Sequence, residues 1–298
     1  MIVLAVKALL APSFVVAASL LARRFGPWVG GVVGGLPVVA GPILLAYALE
    51  HGAAFAQHAA AGTLLGLLSL TAFVVVYGRL ARGAPWFICM LCGWLAFALG
   101  TLALDGVAMP VGLALALACA GFAVGLLLLP AAGAAHRSVI APPPAWDIPL
   151  RAACALALVL ALTTASGWLG PQLSGLLAPF PVITTVLATF THAQRGGGEA
   201  VRLLRGMLSG FLAFALFCFT LAISLQGVGV AAGFLLATAV ALTGQTAMIS
   251  RVRRSAGAGG VGHGRGTAAE AEGRFGAAEG HAQMSAAETH SRPSAAEA

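Results

Sequence analysis

Apolar runs of about 20 residues follow one another along this chain, separated by short breaks of Gly, Pro and charge, and they dictate what it can fold into. A helix rising about 1.5 Å per residue needs about that length to cross a hydrocarbon core of about 30 Å. Only there can such a run satisfy all its backbone groups without water. The runs lie near residues 2–22, 28–49, 60–79, 85–104, 108–130, 148–168, 173–192, 203–225 and 228–250. They predict an all-α, polytopic membrane protein of about nine transmembrane helices. Composition agrees, because 60% of the 298 residues are hydrophobic and 8% charged, against about 25% charged in a soluble domain. The first run resembles a signal peptide. Lys7 lies inside it, however, and Arg23 and Arg24 follow where a cleavage site wants small residues, so it reads as a retained helix.

The formal net charge of +7 does not point to nucleic acid, since the arginines sit at the ends of apolar runs and form no basic groove with aromatic partners. In a nine-span arrangement Arg23, Arg24, Arg79, Arg82, Arg137, Arg151, Arg195, Arg202, Arg205, Arg251, Arg253 and Arg254 all fall on one face. Basic loops stay cytoplasmic, so the N-terminus is expected outside and the C-terminus inside. Trp28, Trp86, Trp94, Trp146 and Trp168 lie mostly near span ends, as an interfacial belt requires. The stretch 131–147, with Pro142, Pro143 and Pro144, reads as an exposed linker. Residues 251–298 carry scarcely any large apolar side chain and read as a disordered tail. All five cysteines fall in apolar segments, which argues against a disulfide framework; Cys89 and Cys92 read as packing residues.

At an offset of 144 residues the sequence matches itself without a gap. Gly26, Pro27, Gly31, Pro37, Val38 and Gly52 meet Gly170, Pro171, Gly175, Pro181, Val182 and Gly196, and the register persists through Gly62 on Gly206 and Gly100 on Gly244. Each repeat holds four spans, and a fifth, from Val107 to Pro130, separates them. This odd span makes the second repeat enter the bilayer upside down. Charge placement agrees, because Arg23 and Arg24 mark the first loop of repeat one whereas the loop at Gly170 is uncharged. The expected organisation is repeat one (1–104), a linker span and cytoplasmic loop (105–147), an inverted repeat two (148–250) and the tail (251–298).

The stretch Val6-Lys7-Ala8-Leu9-Leu10, then Leu21-Ala22-Arg23-Arg24 and Gly34-Gly35-Leu36-Pro37, entering a span that ends Ala46-Tyr47 before Glu50 and Gly52, resembles the GlpM-type small bacterial membrane proteins. Leu176-Leu177-Ala178-Pro179-Phe180-Pro181 looks like that family's Pro-x-Phe-Pro element. The likeness covers the first two or three spans of each half. It implies a fused tandem form, in the bacterial cytoplasmic (inner) membrane, with a link to exopolysaccharide production that identifies no reaction. A more distant likeness is to the small multidrug resistance and drug/metabolite transporters, which pair four- or five-span units in opposite orientations. Those small exporters place a glutamate in the first span, where this chain has Lys7 and Arg151, so a proton-coupled exporter of cations does not fit.

The candidate functional residues fall in three groups. The second span of each half is broken, at Gly30, Gly31, Gly34, Gly35, Pro37, Gly41 and Pro42 and at Gly175, Pro179 and Pro181. Matched breaks free backbone groups for a central substrate site, or the small residues simply let helices pack closely. Lys7 and Arg151, aligned by the repeat, either snorkel to the interface or gate an anionic substrate with Glu50, Asp105 or Asp147 as partners. Thr184, Thr185, Thr189, Thr191 and His192 either line a polar path or, for the threonines, bond back to their own helix. His51 and His58 lack a third metal ligand, and no nucleophile, phosphate loop or carboxylate pair stands in catalytic spacing. The expectation is a non-enzymatic permease for a small, anionic solute, with no cofactor and with the lipid bilayer around it. The alternative is a scaffold or accessory protein of envelope or exopolysaccharide production, whose glycine-rich faces bind partner membrane helices or a second copy.

Overall fold

The computed structural model describes residues 2–38, 40–107, 109–131, 144, 146–176 and 180–250, with the backbone alone at 2–8, 10 and 162–176. The stretch 132–143, the tail 251–298 and Pro179 lie outside the described residues. The chain falls into a body of residues 1–245 and a second unit from 246, of which only the end of the last helix is described.

Every regular element among the described residues is helical: α1 (Ile2–Phe25), α2 (Pro27–Gly34), α3 (Ala40–Glu50), α4 (Ala53–Leu80), α5 (Trp86–Leu104), α6 (Val111–Leu128), α7 (Asp147–Leu176), α8 (Val182–Arg195), α9 (Gly197–Val228) and α10 (Val230–Ser250). Five of them, α4, α5, α6, α9 and α10, are long and apolar enough to cross a membrane. The second apolar run is not one helix. Gly35, Leu36, Pro37 and Val38 interrupt it, leaving α2 with 8 residues and α3 with 11. At about 1.5 Å per residue neither half crosses about 30 Å alone. The sixth run and the start of the seventh fuse in the 30-residue α7, which continues through Gly170 and Pro171. The corresponding Gly26 instead turns the chain at φ 94°.

Two helices make the centre. In α4 and α9 the most apolar stretch is 61% and 67% buried, whereas in α5, α6 and α10 the share is 22%. The outer helices present leucines to their surroundings, as at Leu91, Leu95, Leu99 and Leu102 of α5, each more than half exposed. A soluble monomer rarely displays so continuous an apolar face; lipid is the solvent that suits it.

The central pair is antiparallel. Gly197 at the head of α9 lies against the Ala81 carbonyl just past α4, and Leu204 lies against Gly78. Deeper in the bundle, Gly125 of α6 touches both Thr71 and Leu208. At the offset of 144, α4 begins at Ala53 and α9 at Gly197, and α5 begins at Trp86 and α10 at Val230. The preceding glycines adopt the same left-handed backbone, Gly52 at φ 88° and ψ 166° and Gly196 at φ 84° and ψ 168°. That conformation strains any side chain but costs glycine little, and it turns the chain sharply before each central helix. α2 runs parallel to α9 with their backbones nearly touching. A methyl on Gly31 would strike the Leu203 carbonyl, and one on Gly206 or Gly210 would strike that of Trp28 or Val32.

Contacts also gather the described arginines at one end of the bundle. Arg23 closes α1 beside Asp147 and Arg151 of α7, Gln194 of α8 joins them, and Tyr77 near the end of α4 meets His192 of α8. Arg205 of α9 reaches Leu129, just past α6, at that end.

Candidate functional site

Interrupting an apolar helix frees backbone groups that nothing in hydrocarbon can satisfy, so a break survives only where the fold supplies a partner or a cavity. In the first break both devices occur. Gly35 N–H still bonds to Gly31 C=O, and Leu36 N–H turns back to Val33. The Val32 carbonyl instead accepts the buried Gln245 amide of α10, at 3.2 Å. α3 restarts with Gly41 N–H bonded to Pro37 C=O. Pro42 stands in its first turn, where a helix needs no donor.

The second break does likewise. Pro181 caps α8, its carbonyl accepts Thr185 N–H at 2.7 Å, and Val182 N–H turns back to Phe180. The two breaks meet. A cavity of about 40 Å³ lies between Gly34, Leu36 and Ala40 on one side and Phe180, Pro181 and Thr184 on the other, lined also by Leu70 of α4 and by Phe211 and Phe214 of α9. Leu70 and the two phenylalanines stand near the middle of their helices, so the cavity lies at mid-depth. Its described lining is apolar apart from the Thr184 hydroxyl and the backbone and includes no charged side chain. The volume exceeds what a single water needs, about 10–15 Å³. Both α3 and α8 start at its wall. The positive dipole ends of two helices therefore add to the Thr184 hydroxyl as its polar features.

The rest of α8 climbs from this cavity to the arginine end with its threonines turned inward. Thr185 accepts the Trp94 indole N–H at 3.0 Å, which ties α5 to α8, and Trp94 also leans on Phe180 with ring centroids 5.8 Å apart. Trp94 therefore stands behind Phe180, a lining residue, rather than in an interfacial belt, since it lies mid-helix in α5 and is only partly exposed. Sequence reasoning missed it because an indole in a span looks the same whichever way it faces. Thr189 bonds back to the Thr185 carbonyl at 2.8 Å, and Thr184 and Thr191 are buried. His192 Nδ1 lies 3.3 Å from the Tyr77 hydroxyl, an inter-helix contact near the bundle end.

At that end sits a charged cluster, with Asp147 fully buried as the residue ahead of the sixth apolar run. Arg151 Nε donates to both its oxygens at 2.9 and 3.0 Å, Arg23 Nη2 donates at 2.6 Å, and the Gln194 amide donates as well. Burial alone would raise the carboxyl's pKa. Hydrogen bonds from Arg151, Gln194 and Arg23, with the Arg151 charge, outweigh it and hold the group below the usual carboxylate range. Arg151 is itself buried and stacks 5.0 Å from the Phe190 ring centre. The structure thus brings Gly34, Pro181 and Thr184 to the cavity wall and puts Pro37 and Pro42 beside it. Thr185, Thr189 and His192 follow along α8, and Arg151 stands apart in the ion cluster. Lys7 lies on the described backbone of α1, and its side chain is outside the described residues.

Compared with known protein families, with curated proteins and with solved structures, the chain finds no match in any of the three.

Proposed function

We propose that the chain is a permease for a small, anionic solute in the cytoplasmic membrane of a bacterium, built from two four-helix repeats inserted in opposite senses about the central cavity. The observation that carries this reading is the meeting of the two breaks at one mid-depth cavity. Discontinuous helices whose ends converge at the bilayer midplane are the arrangement from which alternating-access sites are made. Inversion is supported by the antiparallel packing of α4 and α9, whose starting residues correspond in the sequence match. The anionic preference rests on the amino ends of α3 and α8 at the cavity wall, where two positive helix-dipole ends favour negative charge. It does not rest on Arg151, whose charge is matched by Asp147. With the arginine end cytoplasmic, the junction at Gly52 lies outside.

The alternative, an accessory scaffold, needs free glycine faces for partner helices. Gly31, Gly35, Gly206 and Gly210 are instead consumed between α2 and α9. The deciding experiment replaces the five native cysteines and introduces Leu36→Cys or Thr184→Cys at the cavity wall. In a permease each engineered thiol reacts with a membrane-impermeant reagent from both sides of sealed vesicles, and a panel of small anions slows the reaction. Thiols inert from both sides, with or without anions, would refute transport through this cavity.

A further inference from the structure

The chain just past the carboxyl end of α6 is held by three arginines whose charge no described carboxylate balances. Arg79 Nε donates to the Leu128 carbonyl at 2.6 Å, and Arg82 Nη2 to that of Ala131 at 2.6 Å. From the other side Arg205 Nη1 donates to Leu129 and Pro130 at 3.1 and 3.2 Å. Three guanidinium groups from α4, the turn after it and α9 thus converge on four consecutive residues. Only the Leu128 carbonyl belongs to α6, and a whole helix end offers about half a negative charge, against three full positive ones. None of the three arginines has a carboxylate partner among the described residues; the ion pairs there involve Arg23, Arg151 and Arg202.

Each guanidinium carries five N–H donors in a planar fork, of which these carbonyls take only a part. Arg79 and Arg82 are exposed. The cluster borders the apolar belt, because Leu127 and Leu128 of the same turn are 84% and 41% exposed and Trp86, at the head of α5, is 42% exposed. An unbalanced cationic fork at the edge of a lipid-facing surface is at the height of phosphate groups. We propose that Arg79, Arg82 and Arg205 bind the phosphate headgroup of an anionic phospholipid where α4 and α9 meet the end of α6, with its acyl chains along the α6 leucines. This inference rests on the chain lying in a bilayer and not on transport.

The test reconstitutes the full chain into nanodiscs of phosphatidylcholine with one fifth phosphatidylglycerol, then counts retained lipids by native mass spectrometry after mild detergent extraction. The wild type should retain phosphatidylglycerol in preference to phosphatidylcholine. Each Arg→Gln change at 79, 82 or 205 should weaken that preference by about fivefold, as expected for a basic residue near anionic lipid. Arg24→Gln, at the same end but stacked on Phe25, should leave it intact. Arg→Lys at all three sites should keep part of it. Free inorganic phosphate at millimolar concentration should not displace the lipid. Equal retention of the two lipids by the wild type, an unchanged preference in the Arg82→Gln variant, or full displacement by phosphate would each overturn the proposal. The exposed Arg82 serves as the deciding position should the triple variant fail to fold.

Discussion

Asp147 shows what one buried carboxylate does in a chain with so few charges. With two arginines and an amide directed at it, the group carries its charge at full burial, and its neighbours need that charge as much as it needs theirs. Asp147→Asn leaves Arg151 buried without a counter-charge and should cost about 3 kcal/mol or more of stability, while Asp147→Asn with Arg151→Gln should recover much of the loss. The pH dependence follows in sign. Because the folded pKa lies below the usual carboxylate range, the stabilisation is complete above that range and is lost as pH falls through the depressed folded value. Thermal unfolding in detergent from neutral to strongly acidic pH should show a decline at the acid end that Asp147→Asn lacks. An identical decline in both proteins would mean that other carboxylates govern it. In the sequence Asp147 stood as one of three possible partners for Lys7 and Arg151, and its i, i+4 spacing from Arg151 fits the observed contact. Arg23 and Gln194 were not, because they arrive from helices 124 and 47 residues away, and only the packing of α1 and α8 against α7 brings them together.

At the scale of elements, proline removes a donor wherever it stands, and although α7 runs on through Pro171 the breaks at Pro37 and Pro181 could be read directly. Their partners could not: that the Val32 carbonyl falls to Gln245, more than 200 residues on, depends on where α10 packs. Glycines were ambiguous in the same way, because composition does not tell a close approach from an open surface. The structure separates them, and Gly62 and Gly206, matched by the sequence repeat, have opposite surroundings. Nothing lies within 4 Å of a Cβ built on Gly62, whereas one on Gly206 strikes the Trp28 carbonyl of α2. Gly62→Ala should therefore stabilise the chain by about 0.5–1 kcal/mol through lower backbone entropy. Gly206→Ala should destabilise it by about 1–3 kcal/mol as α2 is pushed off α9. Melting of the purified variants in one detergent reads the sign directly, and two shifts in the same direction would contradict the α2 to α9 contact.

For the whole molecule the decisive quantity is the sense in which each half enters the membrane. The all-helical class was legible from run lengths alone, because only helices satisfy about 20 consecutive apolar residues in lipid. Span count was less so. A run long enough to cross can be folded as two half-helices, like α2 and α3, or merged with its neighbour, as in α7. Counting runs therefore cannot settle parity, but antiparallel packing of matched helices bears on it without any count. His51 and Arg195 correspond at the offset of 144 and stand one residue before the matching glycine turns, so α4 leaves from the one and α9 from the other. Because α4 and α9 run antiparallel, a thiol at each position, in a background without native cysteines, should meet opposite solutions. In right-side-out vesicles His51→Cys should react with an impermeant maleimide and Arg195→Cys should react only after the membrane is opened. Were both to label from the same side, the two central helices would not cross the bilayer in opposite directions, and the inverted permease would lose its architectural basis while the lipid site at Arg79, Arg82 and Arg205 would still stand on its own contacts.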